Sequence, residues 1–284
     1  MRLPTLLLAL ALTACGAPAS AQPSVREEGP ATLRDSRQFT VHSALLNRDF
    51  RIYVAPPRRP EPGAKVAVVY ALDGDSSFGL VADVARRLQQ GGEMATAYVV
   101  SVGYGAGANR RNHDYIHERL DNVPTSGGGA DFERFLLQEL RPLIEGRYAV
   151  DPARSYLIGH SFGGLFVANV LVRRPDAFAG YLVSSGSLWV QDEAVVKAAA
   201  RLAKAGRGGG RKVFMSVGQL EGDGMIGPIL RFGDALNDKA SGFSVSGQVW
   251  DSESHASVTA GAYARGLRMI MPAGDDARAN IEPD

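Results

Sequence analysis

Apolar residues in this chain follow two rhythms. Val66-Ala67-Val68-Val69-Tyr70-Ala71-Leu72 is an unbroken run closed by Asp73-Gly74-Asp75, the pattern of a strand covered on both faces and hence of a parallel sheet. Ala97 to Val102, Ser155 to Ile158, Phe178 to Val183 and Val213 to Val217 repeat it, and Phe243 to Trp250 adds a last strand. Between these runs the spacing turns helical: Phe78 to Leu88, one face of Phe132 to Ile144, Leu165 to Leu171, Val195 to Leu202, Ile226 to Leu236 and Val258 to Met271. The succession predicts βαβ units. Ahead of them, Phe39 and Val41, then Phe50, Ile52 and Val54, alternate with polar residues across Leu46-Asn47-Arg48, as in a half-exposed antiparallel pair. The expected fold is α/β, with a mostly parallel central sheet of about eight strands and helices on both faces.

The rhythms begin near residue 36 and end near 272. Before them, Arg2 precedes an apolar run from Leu3 to Leu12 that is too short to anchor in a bilayer and is followed by small residues, so residues 1–21 read as an export signal. Leu12-Thr13-Ala14-Cys15 resembles a bacterial lipoprotein box with Cys15 as the acylated residue, whereas Ala19-Ser20-Ala21 offers an ordinary cleavage site. The expectation is an exported protein, periplasmic or held at a membrane through a lipid on Cys15, with free secretion as the alternative. Residues 22–35 read as a tether and 273–284 as a disordered tail.

Composition narrows the chemistry. The net charge is +1, which gives no expectation of nucleic acid or other polyanions as partners. Cys15 is the one cysteine in the chain, so the predicted domain has neither a disulfide nor a thiol nucleophile. Gly103-Tyr104-Gly105-Ala106-Gly107-Ala108 superficially matches a dinucleotide fingerprint, but the polar Asn109 to Tyr115 that follows lacks the apolar helix such a site needs. No cofactor or metal is expected. The segment reads instead as a long loop at the carboxyl edge of the sheet, where ligands bind in α/β proteins.

The candidate chemistry centres on Gly159-His160-Ser161-Phe162-Gly163, which lies between the apolar run ending at Ile158 and the helix from Leu165. In a G-x-S-x-G turn the serine adopts a strained backbone angle, and glycines two before and two after let strand and helix approach. With 33 glycines in the chain the string alone is weak; its strand-to-helix setting carries the signal. Ser161 is the candidate nucleophile, and the Phe162 N–H is the first candidate oxyanion donor. The second would be the Asp75 N–H, in the turn after the first buried strand.

A serine hydroxyl needs a base, and the base needs an acid that fixes its tautomer. Of five histidines only His255 follows Ser161, in the loop Ser252 to Ala256 between the last strand and last helix. His160 adjoins the serine and reads as a packing or hydrogen-bonding residue. The acid should follow the strand ending at Val217, where Glu221 and Asp223 both stand. Glu221, three residues after Gly218, is preferred, with Asp223 as the alternative.

Taken in order, Tyr70-Ala71-Leu72-Asp73-Gly74-Asp75, Arg111-x-x-Asp114-Tyr115, Gly159-His160-Ser161-Phe162-Gly163-Gly164, Gly218-x-x-Glu221 and His255 resemble the esterase D-like family of α/β-hydrolases. That family includes siderophore esterases and S-formylglutathione hydrolase. The resemblance spans about residues 36–271. It implies Ser161 as nucleophile, His255 as base, Glu221 as acid, and Arg110 or Arg111 as a basic contact for an ester ligand. It departs from the family in having Glu where Asp is usual. For Arg111 a structural ion pair with Asp114, pinning the loop, competes with a role in binding. The expected activity is cleavage of small-molecule carboxylic esters, with siderophore-type esters as one substrate class. An acyltransferase with the same residues, or a binding protein on a hydrolase scaffold, are the alternatives. Oligomeric state has no signature in the sequence.

Overall fold

A computed structural model describes residues 32–274 apart from Arg59 and Ala108. The export signal, Cys15, most of the tether and residues 275–284 lie outside the described residues. Eight strands form one sheet in the order β1-β2-β4-β3-β5-β6-β7-β8. They are β1 (Arg37–Ser43), β2 (Arg48–Ala55), β3 (Val66–Ala71), β4 (Ala97–Gly103), β5 (Val150–His160), β6 (Gly180–Ser184), β7 (Lys212–Gly218) and β8 (Ser244–Trp250). The pairings of β1 with β2 and of β2 with β4 are antiparallel; the rest are parallel.

The unbroken apolar runs follow from burial on both faces. In β3 and the residue that follows it, Val68, Tyr70 and Leu72 enter one core layer while Ala67, Val69 and Ala71 enter the other. In β6, Tyr181 and Val183 face the first layer and Leu182 the second. Helices α1 (Gly74–Gln90) and α8 (Val258–Ile270) cover the second layer through Val81, Ala85, Tyr263 and Leu267. The first layer is covered by α2 (Arg111–Tyr115), α3 (Gly129–Phe135), α4 (Arg141–Arg147), α5 (Phe162–Arg173), α6 (Val190–Lys204) and α7 (Asp223–Leu236). This is the α/β-hydrolase arrangement, and it brings the ends of β3, β5, β6, β7 and β8 to one edge.

Four local features depart from the periodicity. Helix α1 starts at Gly74 rather than Phe78, because its polar first turn adds nothing to the apolar stripe. A π-helical stretch, Leu136–Leu140, joins α3 to α4 within what the spacing shows as one helix. Helix α6 opens through three left-handed residues, Gln191 to Glu193, which no apolar pattern marks. The loop after β4 also contains the short helix α2, built from residues that read as irregular.

Candidate active site

Ser161 occupies the joint between β5 and α5 with φ 60° and ψ −123°, a conformation costly for any residue with a Cβ. The surrounding backbone holds it there. The Ser161 N–H donates to Ser184 O at 2.9 Å, and Ser161 O accepts from the N–H groups of Ser187 at 3.1 Å and Leu165 at 3.0 Å. A Cβ on Gly159 would come within 2.5 Å of the Gly163 carbonyl, so only glycine lets strand and helix meet at this angle. Phe162 is the first residue of α5, and its N–H, like those of the rest of that turn, has no preceding helical carbonyl to bond.

Glu221 and His255 come from separate connections that are tied together. Leu220 N–H donates to Glu253 O at 2.9 Å, and Ser252 N–H to Gln219 Oε1 at 3.2 Å. Gly218 permits the contact, since a Cβ there would lie 2.3 Å from Glu253 O. The result is a 2.5 Å hydrogen bond between His255 Nδ1 and Glu221 Oε2. Glu221 Oε1 accepts from Ser185 Oγ and from the Gly218 N–H, each at 2.7 Å. Burial alone would raise the Glu221 pKa, but the bonds from Ser185, His255 and Gly218 outweigh it and hold the carboxyl below its ordinary value. The side chain of Glu221 is 2% exposed, that of His255 45%. Asp223 is exposed in the first turn of α7, and Glu221 rather than Asp223 is the carboxylate bonded to His255.

The His255 ring lies against His160, the neighbour of Ser161, with centroids 4.5 Å apart. His160 Nδ1 is 3.0 Å from Ser184 Oγ. Burial, then the adjacent His255, push the His160 pKa down to about 4. His160 is therefore a neutral packing partner at neutral pH.

Asp75 is the second residue of α1, and its N–H has no preceding helical carbonyl to bond. Its carboxylate is occupied structurally, accepting from Tyr53 Oη at 2.7 Å, Tyr104 N–H at 2.5 Å and Gly105 N–H at 3.0 Å.

The arginines separate. Arg111 does not pair with Asp114; that expectation is overturned. Its Nε donates to Asp73 Oδ1 at 2.5 Å, and its Nη2 to Asp73 Oδ2 at 3.0 Å and to His160 O at 3.2 Å. Asp114, fully buried, instead holds Arg48 at 2.5 Å, Tyr104 Oη at 2.9 Å and His113 Nδ1 at 2.9 Å. Helix α2 turns Asp114 into the core and Arg111 toward the elbow, a division that i, i+3 spacing on so short a helix does not reveal. Arg110 stays exposed and, with Arg111, Asn109, Asn112, His113 and Thr125, lines a cavity of about 610 Å³. Sequence reasoning also missed Asp73, Ser184 and Ser185. The one signal for the serines was the small polar cluster Ser184-Ser185-Gly186-Ser187 directly after a buried strand. Among the described residues no group of three or more His, Cys, Asp or Glu side chains is placed to hold a metal ion.

Comparison with known proteins places the chain in a family. Residues 43–228 match the family model described as "Putative esterase". The ferri-bacillibactin esterase BesA of Bacillus subtilis is 35% identical over 158 residues, covering 50% of this chain and 55% of that protein. The apo-salmochelin esterase of Escherichia coli O6:H1 is 28% identical over 194 residues, 61% of this chain and 60% of that one. The chain thus spans little more than half the length of these curated relatives. The crystal structure of the BES protein from Bacillus cereus superposes with a TM-score of 0.79 at 26% identity, over 88% of this chain and 99% of that one. The matched segment runs from the end of β1 through the serine turn into α7, and on that ground this chain belongs to the esterase family.

Proposed function

We propose that this protein hydrolyses carboxylic esters through Ser161, His255 and Glu221. The observation that carries the reading is the Glu221–His255 hydrogen bond set beside a serine held at a strained strand-to-helix turn. Glu221 accepts the Nδ1 proton of His255, which leaves Nε2 as the basic nitrogen. His255 takes the Ser161 proton as Oγ bonds to the ester carbon, and the carbonyl oxygen becomes an oxyanion. The N–H groups of Phe162 and Asp75 receive that charge, each aided by the positive end of a helix. Collapse returns the proton to the departing alcohol and leaves an acyl-Ser161, which water, deprotonated by His255, hydrolyses.

The substrate class we favour is a polar, oxygen-rich ester of the siderophore type. Support comes from the names of the two curated relatives, each an esterase of such a molecule, and from the cavity that Arg110 and Arg111 line, Arg111 also bonding the carbonyl of His160 beside Ser161. Arg110 supplies a guanidinium that is exposed there, suited to a catecholate or carboxylate oxygen. A panel of neutral aryl esters, acyl thioesters and ferric trilactones tests the reading. Preferential turnover of the trilactone, with a KM raised by Arg110→Ala for that substrate alone, is expected. Equal turnover of all esters, untouched by Arg110→Ala, would remove the siderophore assignment and leave a general esterase. The leader suggests that this activity operates outside the cytoplasm; no helix among the described residues is long and apolar enough to cross a membrane.

A further inference from the structure

Ser185 follows β6 directly and adopts φ 42°, in the left-handed region that favours glycine. It is fully buried, and its N–H donates to Ser216 O at 2.7 Å, which fixes it to the end of β7. Backbone conformation alone would select glycine here, since a left-handed residue with a Cβ costs on the order of 1 kcal/mol. The side chain must therefore repay its presence elsewhere. Among the described residues its hydroxyl bonds Glu221 Oε1, at 2.7 Å.

That bond bears on a specific problem. A glutamate has one more side-chain torsion than an aspartate, so its carboxylate is free to rotate unless both oxygens are fixed. In this protein Oε1 receives two donors, the Ser185 hydroxyl and the Gly218 N–H, and Oε2 is left to His255 Nδ1. Two donors from different strands define the carboxylate plane. After burial, which raises it, the Ser185 bond is the first of the contacts that hold the carboxyl pKa below its ordinary value, ahead of those from His255 and Gly218. The same segment frames the nucleophile, because Ser184 and Ser187 bond the Ser161 backbone on either side of Ser185.

We propose that Ser185 is a positioning residue for catalysis: its hydroxyl, held in a strained turn at the end of β6, fixes the Glu221 carboxylate so that Oε2 alone addresses His255. This rests on the reading of Glu221 as the acid of the triad. Ser185 touches neither substrate nor the reacting atoms and acts through Glu221.

The strain makes the test selective, because glycine removes the hydroxyl and relaxes the backbone in one step. Ser185→Gly should leave the melting temperature close to that of the wild type, the relieved strain offsetting most of the lost hydrogen bond, while kcat on a neutral aryl ester falls about ten- to a hundredfold at unchanged KM, the scale seen when a partner that orients a functional ligand is lost. Ser185→Ala, which loses the bond and keeps the strain, should show the same fall in kcat with a lower melting temperature. In a Glu221→Ala background, Ser185→Gly should cost nothing further, since the two residues act as one unit. Wild-type kcat in Ser185→Gly, or a loss that simply multiplies with that of Glu221→Ala, would overturn the proposal. The two failures are separable. If Glu221→Ala lowers kcat and Ser185→Gly does not, only the positioning role falls. If Glu221→Ala itself turns over normally, the triad reading falls and this role with it.

Discussion

Arg111 grips Asp73 with two parallel bonds, Nε to Oδ1 at 2.5 Å and Nη2 to Oδ2 at 3.0 Å. Asp73 sits at φ 57° as the N-cap of α1, so the clamp holds the turn that presents the Asp75 N–H. Through His160 O the same guanidinium reaches the strand that carries Ser161. The pair is largely buried, with 25% and 14% side-chain exposure, and removing one member leaves a charge without its partner. Arg111→Ala should therefore lower the unfolding free energy in urea by about 2 kcal/mol and depress kcat on neutral and anionic esters alike. Arg111→Lys should recover little, because an ammonium cannot form both bonds. A variant of normal stability whose KM rises for anionic esters alone would show instead that Arg111 serves the substrate.

His160 should make the fold sensitive to acid. Its folded-state pKa of about 4 lies below the ordinary histidine value of 6.5. Between these values the unfolded chain binds more protons than the native one, so stability falls as pH drops through that window. The full effect is up to about 3 kcal/mol below pH 4. Glu221 contributes in a lower window, its stabilisation being lost as pH falls through a folded value beneath the ordinary 4.5. The titratable and charged groups that act on His160 are His255, Glu221 and Arg111. Melting temperatures taken from pH 7 to pH 4 should fall less steeply in His160→Phe, which keeps a ring against His255 and cannot protonate. An unchanged slope would place the titrating group elsewhere.

The parallel runs and the antiparallel pair were plain in the sequence because burial on two faces and burial on one face leave different patterns. The elbow was plain because its glycines are sterically required, as the contact at Gly159 shows. The serine-turn resemblance and the family that the chain belongs to agree. What the sequence could not show was pairing between distant polar residues. Arg111 stands three positions from Asp114, yet it bonds Asp73, thirty-eight positions away, because the five residues of α2 place the two side chains in different surroundings. Ser185 was silent for a similar reason: neither its left-handed backbone nor its bond to Glu221 leaves a periodic trace.

Glu221 and Asp223 are separated by a direct comparison. Glu221→Gln removes the charge facing His255 Nδ1 and should lower kcat about a hundred- to ten-thousandfold, as loss of the acid does in such triads. Asp223→Asn, at an exposed first-turn position, should remain within about twofold of wild type, a helix-terminus charge being worth a few tenths of a kcal/mol. The reverse order would move the acid to Asp223.

Export can be tested without reference to the fold. Cys15→Ser should abolish metabolic labelling with a palmitate analogue and release the protein in soluble form, since one side chain supplies the acyl attachment. An unlabelled wild type whose mature N-terminus is Gln22 would select ordinary secretion.

The most direct test of the account is covalent. A fluorophosphonate should add one equivalent to the intact protein, peptide mass spectrometry should place it on Ser161, and ester turnover should fall in proportion to labelling. Ser161→Ala should remain unlabelled, and His255→Ala should label several orders of magnitude more slowly. Label on another residue, or full turnover after Ser161 is modified or replaced, would contradict it.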